Sequence, residues 1–95
     1  VSAFEKTGEM YWQLPLAPYH RRFLSSRRAT VTNSGHGEGA PGSSVAASFL
    51  EQFVDKNTPW VHIDLSSAYL PDGSPFLAAG PTGSTILGLA TWLCE

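Results

Sequence analysis

An apolar stretch that ends in small polar residues, Trp60 to Ala68, limits the fold of this chain more than any other feature. Farther along, Gly80-Pro81-Thr82-Gly83 leads into an apolar pattern typical of a helix. A strand, a loop and a glycine-rich start to a helix together predict an α/β unit. Ligands in such folds bind at the carboxyl ends of strands, so we expect residues 66–68 to line a pocket wall.

Apolar residues recur at helical spacing in several other parts of the chain. This spacing predicts helices over residues 1–7, 18–28, 43–54 and 85–93, the first ending at a glycine cap, Gly8. Residues 29–33 are rich in β-branched side chains, and Trp60 to Leu65 is expected to be a buried strand. The glycine-rich residues 34–42 are expected to form a loop.

The low charge of the chain indicates that part of its surface is covered by other protein. Only 15% of its 95 residues are charged, and a chain of this length forms one small domain at most. The first residues resemble the end of a helix, and the last lie inside an apolar helical pattern. We therefore expect the chain to be a segment of a larger protein, from its C-terminal part.

Charge and cysteine content argue against several classes of partner. The net charge is −2, and the basic residues cluster locally at Arg21, Arg22, Arg27 and Arg28, which does not make the wide basic field of a nucleic-acid-binding domain. The single cysteine, Cys94, excludes an internal disulfide and suits a reducing compartment. No apolar run has the length of a membrane span, so we expect neither nucleic acid nor membrane as a partner.

Two groups of polar residues are candidates for chemistry. His62 and Asp64 alternate on the predicted strand and so share a face. Two residues so close on one strand cannot place the histidine between a serine and the aspartate, as a catalytic triad requires. We favour a structural role, in which both hydrogen-bond to nearby backbone groups. His36 and Glu38 are too few and too close together to indicate a metal site, and a flexible loop is the favoured interpretation.

The start of the last predicted helix is a third candidate. Free N–H groups at a helix N-terminus can bind an anion, but residues 80–83 have no lysine or arginine close by. We therefore favour a helix start capped by Thr82 or Ser84. From the residues alone, the chain is an α/β segment without a self-contained catalytic set.

Three ordered segments of the chain resemble the leucyl aminopeptidase family. Residues 12–16 (Trp-Gln-Leu-Pro-Leu) are similar to its tryptophan-x-leucine-proline-leucine segment. Residues 59–65 are similar to its proline-tryptophan-alanine-histidine-leucine-aspartate-isoleucine strand, and residues 80–83 to its glycine-alanine-threonine-glycine helix start. The helix predicted over 43–54 matches the one between them, so the resemblance spans nearly the whole chain.

The resemblance implies a fold, an assembly and a chemistry. The fold is a three-layer α/β/α catalytic domain with a central mixed sheet, of which residues 1–95 would form the C-terminal part. Family members are cytoplasmic homo-hexamers, and two divalent metals (zinc, manganese or magnesium) hold the water that releases N-terminal amino acids from peptides. Partners would be peptide substrates, the rest of the domain and other subunits. The family's metal ligands and catalytic residues lie in motifs absent from this chain, which should therefore bind no metal and be inactive alone.

Two residues of this chain would touch substrate if the resemblance holds. Ser66 and Tyr69 match the family positions that line the pocket for the substrate's N-terminal side chain. Ser66-Ser67 replaces the family's alanine-glycine, which makes the pocket edge more polar and weakens the expectation of a preference for leucine. The longer loop 33–42 and Gly80-Pro81 also depart from the family pattern. The alternatives are a non-catalytic structural paralogue and an independent small binding domain.

Overall fold

The computed structural model describes residues 1–35, 37–65 and 68–95, which contain helices and a small sheet. In chain order the elements are α1 (Ser2–Lys6), a 3₁₀ helix (Pro18–Leu24), α2 (Gly42–Glu51), β1 (Tyr69–Leu70), β2 (Gly80–Pro81) and α3 (Ile86–Cys94). The chain divides into a central unit, Leu14–Ile63, and a terminal unit, Val1–Gln13 with Asp64–Glu95. Among the described residues, no helix is long and apolar enough to cross a lipid bilayer.

The core of the central unit lies between the 3₁₀ helix and α2. Phe23, Leu24 and Val45 are buried there, with Phe49 packed against them. The prediction of a helix over 43–54 is confirmed, but its buried face differs from the apolar stripe that helical spacing predicts there, which is made of Val45, Ala46, Phe49, Leu50 and Phe53. Ser44, Val45 and Ser48 are its buried residues, whereas Leu50 and Phe53 are exposed. The Ser44 hydroxyl donates a hydrogen bond to the Pro15 carbonyl at 2.9 Å, which satisfies this buried polar group.

The helix predicted over 18–28 is shorter than expected. It is a 3₁₀ helix that begins at Pro18, whose ring fixes a helical φ, and ends at Leu24 because Ser25 adopts an extended backbone. His20 is buried, and its Nδ1 accepts a hydrogen bond from the Ala17 N–H at 3.2 Å. Phe23 and Leu24, the last two residues of this helix, supply its core side chains.

The buried strand predicted over Trp60 to Leu65 is wrong for this structure. These residues lie in neither helix nor strand, and the Val61 side chain is 68% exposed. The β-prone residues 29–33 likewise form no strand. An apolar, β-branched sequence favours an extended backbone, but a strand also needs a neighbouring strand to pair its N–H and C=O groups. In the described part of the chain, only β1 and β2 pair as named strands.

The sheet of the terminal unit is small and antiparallel. Tyr69 pairs with Pro81 and Leu70 with Gly80. The connection between the strands turns at Gly73, whose φ is +71°, as expected for the turn cluster at residues 71–75. The described fold is therefore a small mixed α/β arrangement with a two-stranded sheet. The expected three-layer domain with a central mixed sheet stays a prediction.

In the terminal unit, α1 packs against α3. The predictions of a helix ending near Gly8 and of a final helix are confirmed, and Gly8 has a φ of +77° as a helix-terminating glycine should. The contact face of α3 centres on Gly88, its buried residue, which faces the ring of Phe4. Helical spacing predicts one apolar face made of Ile86, Leu89, Ala90 and Leu93, but Ile86 and Leu93 are exposed.

Candidate functional site

Tyr69, one of the two predicted pocket residues, has a fixed backbone and an exposed side chain. It begins β1 and pairs with Pro81, and the neighbouring Ala68 carbonyl accepts a hydrogen bond from the Thr82 N–H at 3.0 Å. The side chain is 61% exposed. The role of Tyr69 in a pocket wall stays a prediction. Ser66, the other predicted pocket residue, lies outside the described residues, as does Ser67.

His62 and Asp64 lie in a described segment, residues 60–65, that forms neither helix nor strand. The His62 ring lies 6.3 Å from that of Trp60, centroid to centroid, and is half-buried. Asp64 is exposed. Among the described residues, no hydrogen bond of either side chain is present to support the backbone-bonding role, which stays a prediction.

Two residues of the glycine-rich segment, Gly35 and Gly37, lie close to core side chains of the central unit. A Cβ added at Gly35 would lie 2.7 Å from Val45 Cγ1, so a larger residue there would force the Val45 side chain to shift. Glu38 is exposed, and His36 lies outside the described residues. Across residues 1–35, 37–65 and 68–95, no group of three or more His, Cys, Asp or Glu side chains is placed to hold a metal ion. The described residues therefore do not fit the two metal ions that the resemblance implies.

The start of α3 is capped by Glu9, not by Thr82 or Ser84 as expected. Glu9 Oε1 accepts the Thr85 N–H at 2.7 Å, and Oε2 accepts the Gly88 N–H at 2.8 Å. Thr85 makes no side-chain cap, and Gly88 has no side chain that could complete a capping box. One carboxylate thus satisfies two helix-terminal donors, which removes them from any anion site. The sequence holds little sign of this cap, because Glu9 lies far upstream.

The comparisons with known proteins decide the family. Residues 1–90 match the model of the cytosol aminopeptidase family, catalytic domain. The chain belongs to the cytosol aminopeptidase family. The resemblance to leucyl aminopeptidases is thereby confirmed, and the matched region includes all three of the sequence segments that carried it.

Curated relatives within the cytosol aminopeptidase family match almost the whole chain. A probable cytosol aminopeptidase of Acidobacterium capsulatum is 37% identical over 97% of this chain and 18% of its own length. Peptidase B of Vibrio parahaemolyticus is 41% identical over 100% of this chain and 22% of its own length. A probable cytosol aminopeptidase of Solibacter usitatus is 40% identical over 95% of this chain and 18% of its own length. The chain thus spans about a fifth of the length of these relatives.

Proposed function

We propose that this chain is the C-terminal part of the catalytic domain of an aminopeptidase, which hydrolyses the first peptide bond of its substrates. The match of residues 1–90 to the family's catalytic-domain model is the observation that carries the proposal. The names of the relatives, cytosol aminopeptidase and Peptidase B, support the same reaction class. They also support a cytoplasmic location.

In this proposal, the chain supplies part of the wall of the substrate pocket. Ser66 and Tyr69 would contact the side chain of the substrate's N-terminal residue. The exposed side chain of Tyr69 and its paired backbone support this role. A serine hydroxyl and a phenol at the pocket edge would allow polar N-terminal side chains as well as apolar ones.

The metal ions and the catalytic residues would be supplied from outside this chain. The resemblance implies two divalent metals, zinc, manganese or magnesium, and the donor set of the described residues does not fit them. This chain would then contribute contacts with the substrate side chain and part of the shape of the pocket.

The exposed apolar side chains support a covered position in a larger assembly. Met10, Trp12 and Phe76 are 98%, 88% and 93% exposed, respectively. Side chains of this size gain about 1.5–3 kcal/mol each when they are buried. We propose that the rest of the catalytic domain, and neighbouring subunits of a homo-hexamer, cover these residues.

The test is hydrolysis of amino-acid anilides by the full-length protein. We expect release of the N-terminal residue, loss of activity with a metal chelator, and recovery when zinc, manganese or magnesium is added back. Tyr69→Ala should change the preference among N-terminal side chains. Tyr19→Ala is the matched control, because Tyr19 is exposed to a similar extent, 56% against 61%.

Two results would contradict the proposal. A metal-loaded full-length protein that hydrolyses no anilide or peptide would favour a non-catalytic structural paralogue. Hydrolysis by the 95-residue chain alone would show that catalytic residues lie within it.

A further inference from the structure

The Glu9 side chain links the first segment of the terminal unit to the start of α3. Its carboxylate accepts hydrogen bonds from two backbone donors at the start of α3, as described above, and its Oε2 lies 3.3 Å from the Thr7 hydroxyl, which donates to the Phe4 carbonyl at 2.9 Å. The side chain is half-buried, so these bonds are partly shielded from water. Bonds to an ionised acceptor are stronger than those between neutral groups, which makes Glu9 a firm anchor.

The loop that Glu9 anchors adopts a backbone that its sequence does not favour. Thr85 has a φ of +76°, in the left-handed region that β-branched residues rarely adopt. Such a conformation persists where surrounding contacts hold it, and the hydrogen bond from the Thr85 N–H to Glu9 is such a contact. The Ser84 hydroxyl lies 3.3 Å from the Tyr11 hydroxyl, which adds a second anchor on the same segment.

The anchored loop leads directly to the backbone of Tyr69. Thr82, three residues before Thr85, donates its N–H to the Ala68 carbonyl, and Pro81 pairs with Tyr69. A shift of residues 82–85 would therefore move the strand pair that sets the position of Tyr69. Two strand residues on each side are too few to hold this register by themselves.

We propose that Glu9 is a positioning residue for the substrate pocket, because it fixes the loop over residues 82–85 and through it the place of Tyr69. The inference rests on the proposed function, in which Tyr69 contacts the substrate side chain. Glu9 itself touches no substrate. Its loss should change how the enzyme discriminates among N-terminal side chains more than it changes the chemical step.

The experiment compares Glu9→Gln with Glu5→Gln in the full-length enzyme, with kcat and KM measured for leucine, alanine and serine anilides. Glu5 is the matched control, because it lies in α1 and its side chain is exposed. In Glu9→Gln, an amide group replaces one acceptor oxygen and leaves a backbone N–H without its partner. We expect the ratio of kcat/KM between leucine and alanine anilides to change by up to about tenfold, because the free energy of one charge-assisted hydrogen bond limits the effect of its loss on the loop. The change should be mainly in KM, and Glu5→Gln should match the wild type.

The variant Glu9→Asp distinguishes an effect on the position of Tyr69 from an effect on folding. Glu9→Asp keeps the charge but reaches less far, so its selectivity should lie between those of the wild type and Glu9→Gln. If Glu9→Gln does not fold, Glu9→Asp carries the test. Equal loss of kcat/KM for all three anilides, in step with a lower melting temperature, would overturn the positioning role. An active wild type whose selectivity neither variant changes would refute only this role, whereas an inactive wild type would refute the proposed function as well.

Discussion

Gly88 allows α1 and α3 to approach closely, and a single methyl group there should loosen their contact. A Cβ at this position would lie 2.7 Å from Phe4 Cγ and closer still to Cδ1 and Cε1. The Phe4 ring cannot move freely, because it packs against Tyr11 with ring centroids 4.3 Å apart. Gly88→Ala is therefore expected to destabilise the terminal unit, although alanine is the better helix former.

Two opposing terms set the magnitude. Alanine in place of glycine inside a helix gains about 1 kcal/mol. Forcing a methyl group into a packed contact costs about 1–3 kcal/mol. Gly42, at the start of α2, has no atom within 4 Å of an added Cβ, so Gly42→Ala should gain up to the same propensity term without the steric cost. The two variants should then differ by about 1–3 kcal/mol, with Gly88→Ala the less stable.

Native-state hydrogen exchange in the full-length protein measures the change in the local stability of α3. The net loss, up to about 2 kcal/mol, should speed exchange of the α3 amides by up to roughly 30-fold. Gly42→Ala should leave α3 exchange unchanged. Phe4→Ala removes the obstructing ring, so adding Gly88→Ala in that background should slow exchange instead. If Gly88→Ala slows α3 exchange in the wild-type background, the close approach of Phe4 cannot be the reason that position 88 is a glycine.

Three further changes test other parts of the structure. Leu24→Ala should destabilise the central unit by about 2–5 kcal/mol, because Leu24 is only 1% exposed; unchanged amide exchange in α2 would contradict this. Gly73→Ala should be destabilising, because the φ of Gly73 is +71° and the new Cβ would lie 2.8 Å from the Leu77 carbonyl oxygen. We expect faster amide hydrogen exchange in β1 and β2, and exchange at the wild-type rate would refute the turn geometry. Arg21→Ala removes an exposed ion pair with Glu51. The melting temperature should change very little, because such pairs contribute about 0–1 kcal/mol to stability. A large drop in melting temperature would show that the pair is stronger than its exposure indicates.

The helices were predictable because their signal is local. Apolar residues at helical spacing located α2 and α3 to within a few residues, and Gly8 marked the end of α1. The strand predicted over Trp60 to Leu65 was not found, because a strand needs a partner that its own sequence does not specify.

For the candidate site too, the sequence shows local motifs but not contacts between residues that lie far apart in the chain. A family motif names Tyr69, whose role in the pocket stays a prediction; the structure gives its side chain as exposed and its backbone as paired. Glu9 was missed because its hydrogen-bond partners lie 76 and 79 residues away in the sequence. The faces of α2 and α3 were misjudged because periodicity reports an apolar side but not what packs on it.

The discontinuity of the terminal unit has a consequence for biosynthesis. Its first segment, Val1–Gln13, leaves the ribosome before the central unit, and its second, Asp64–Glu95, follows that unit. Domains form as their residues emerge, so the central unit has all of its sequence available first. The Glu9 carboxylate cannot accept hydrogen bonds from the Thr85 and Gly88 N–H groups until those residues have been synthesised. Translation that stalls or stops before residue 88 would leave Glu9 without the Gly88 donor and α1 without its packing surface, a nascent chain that quality-control factors could recognise.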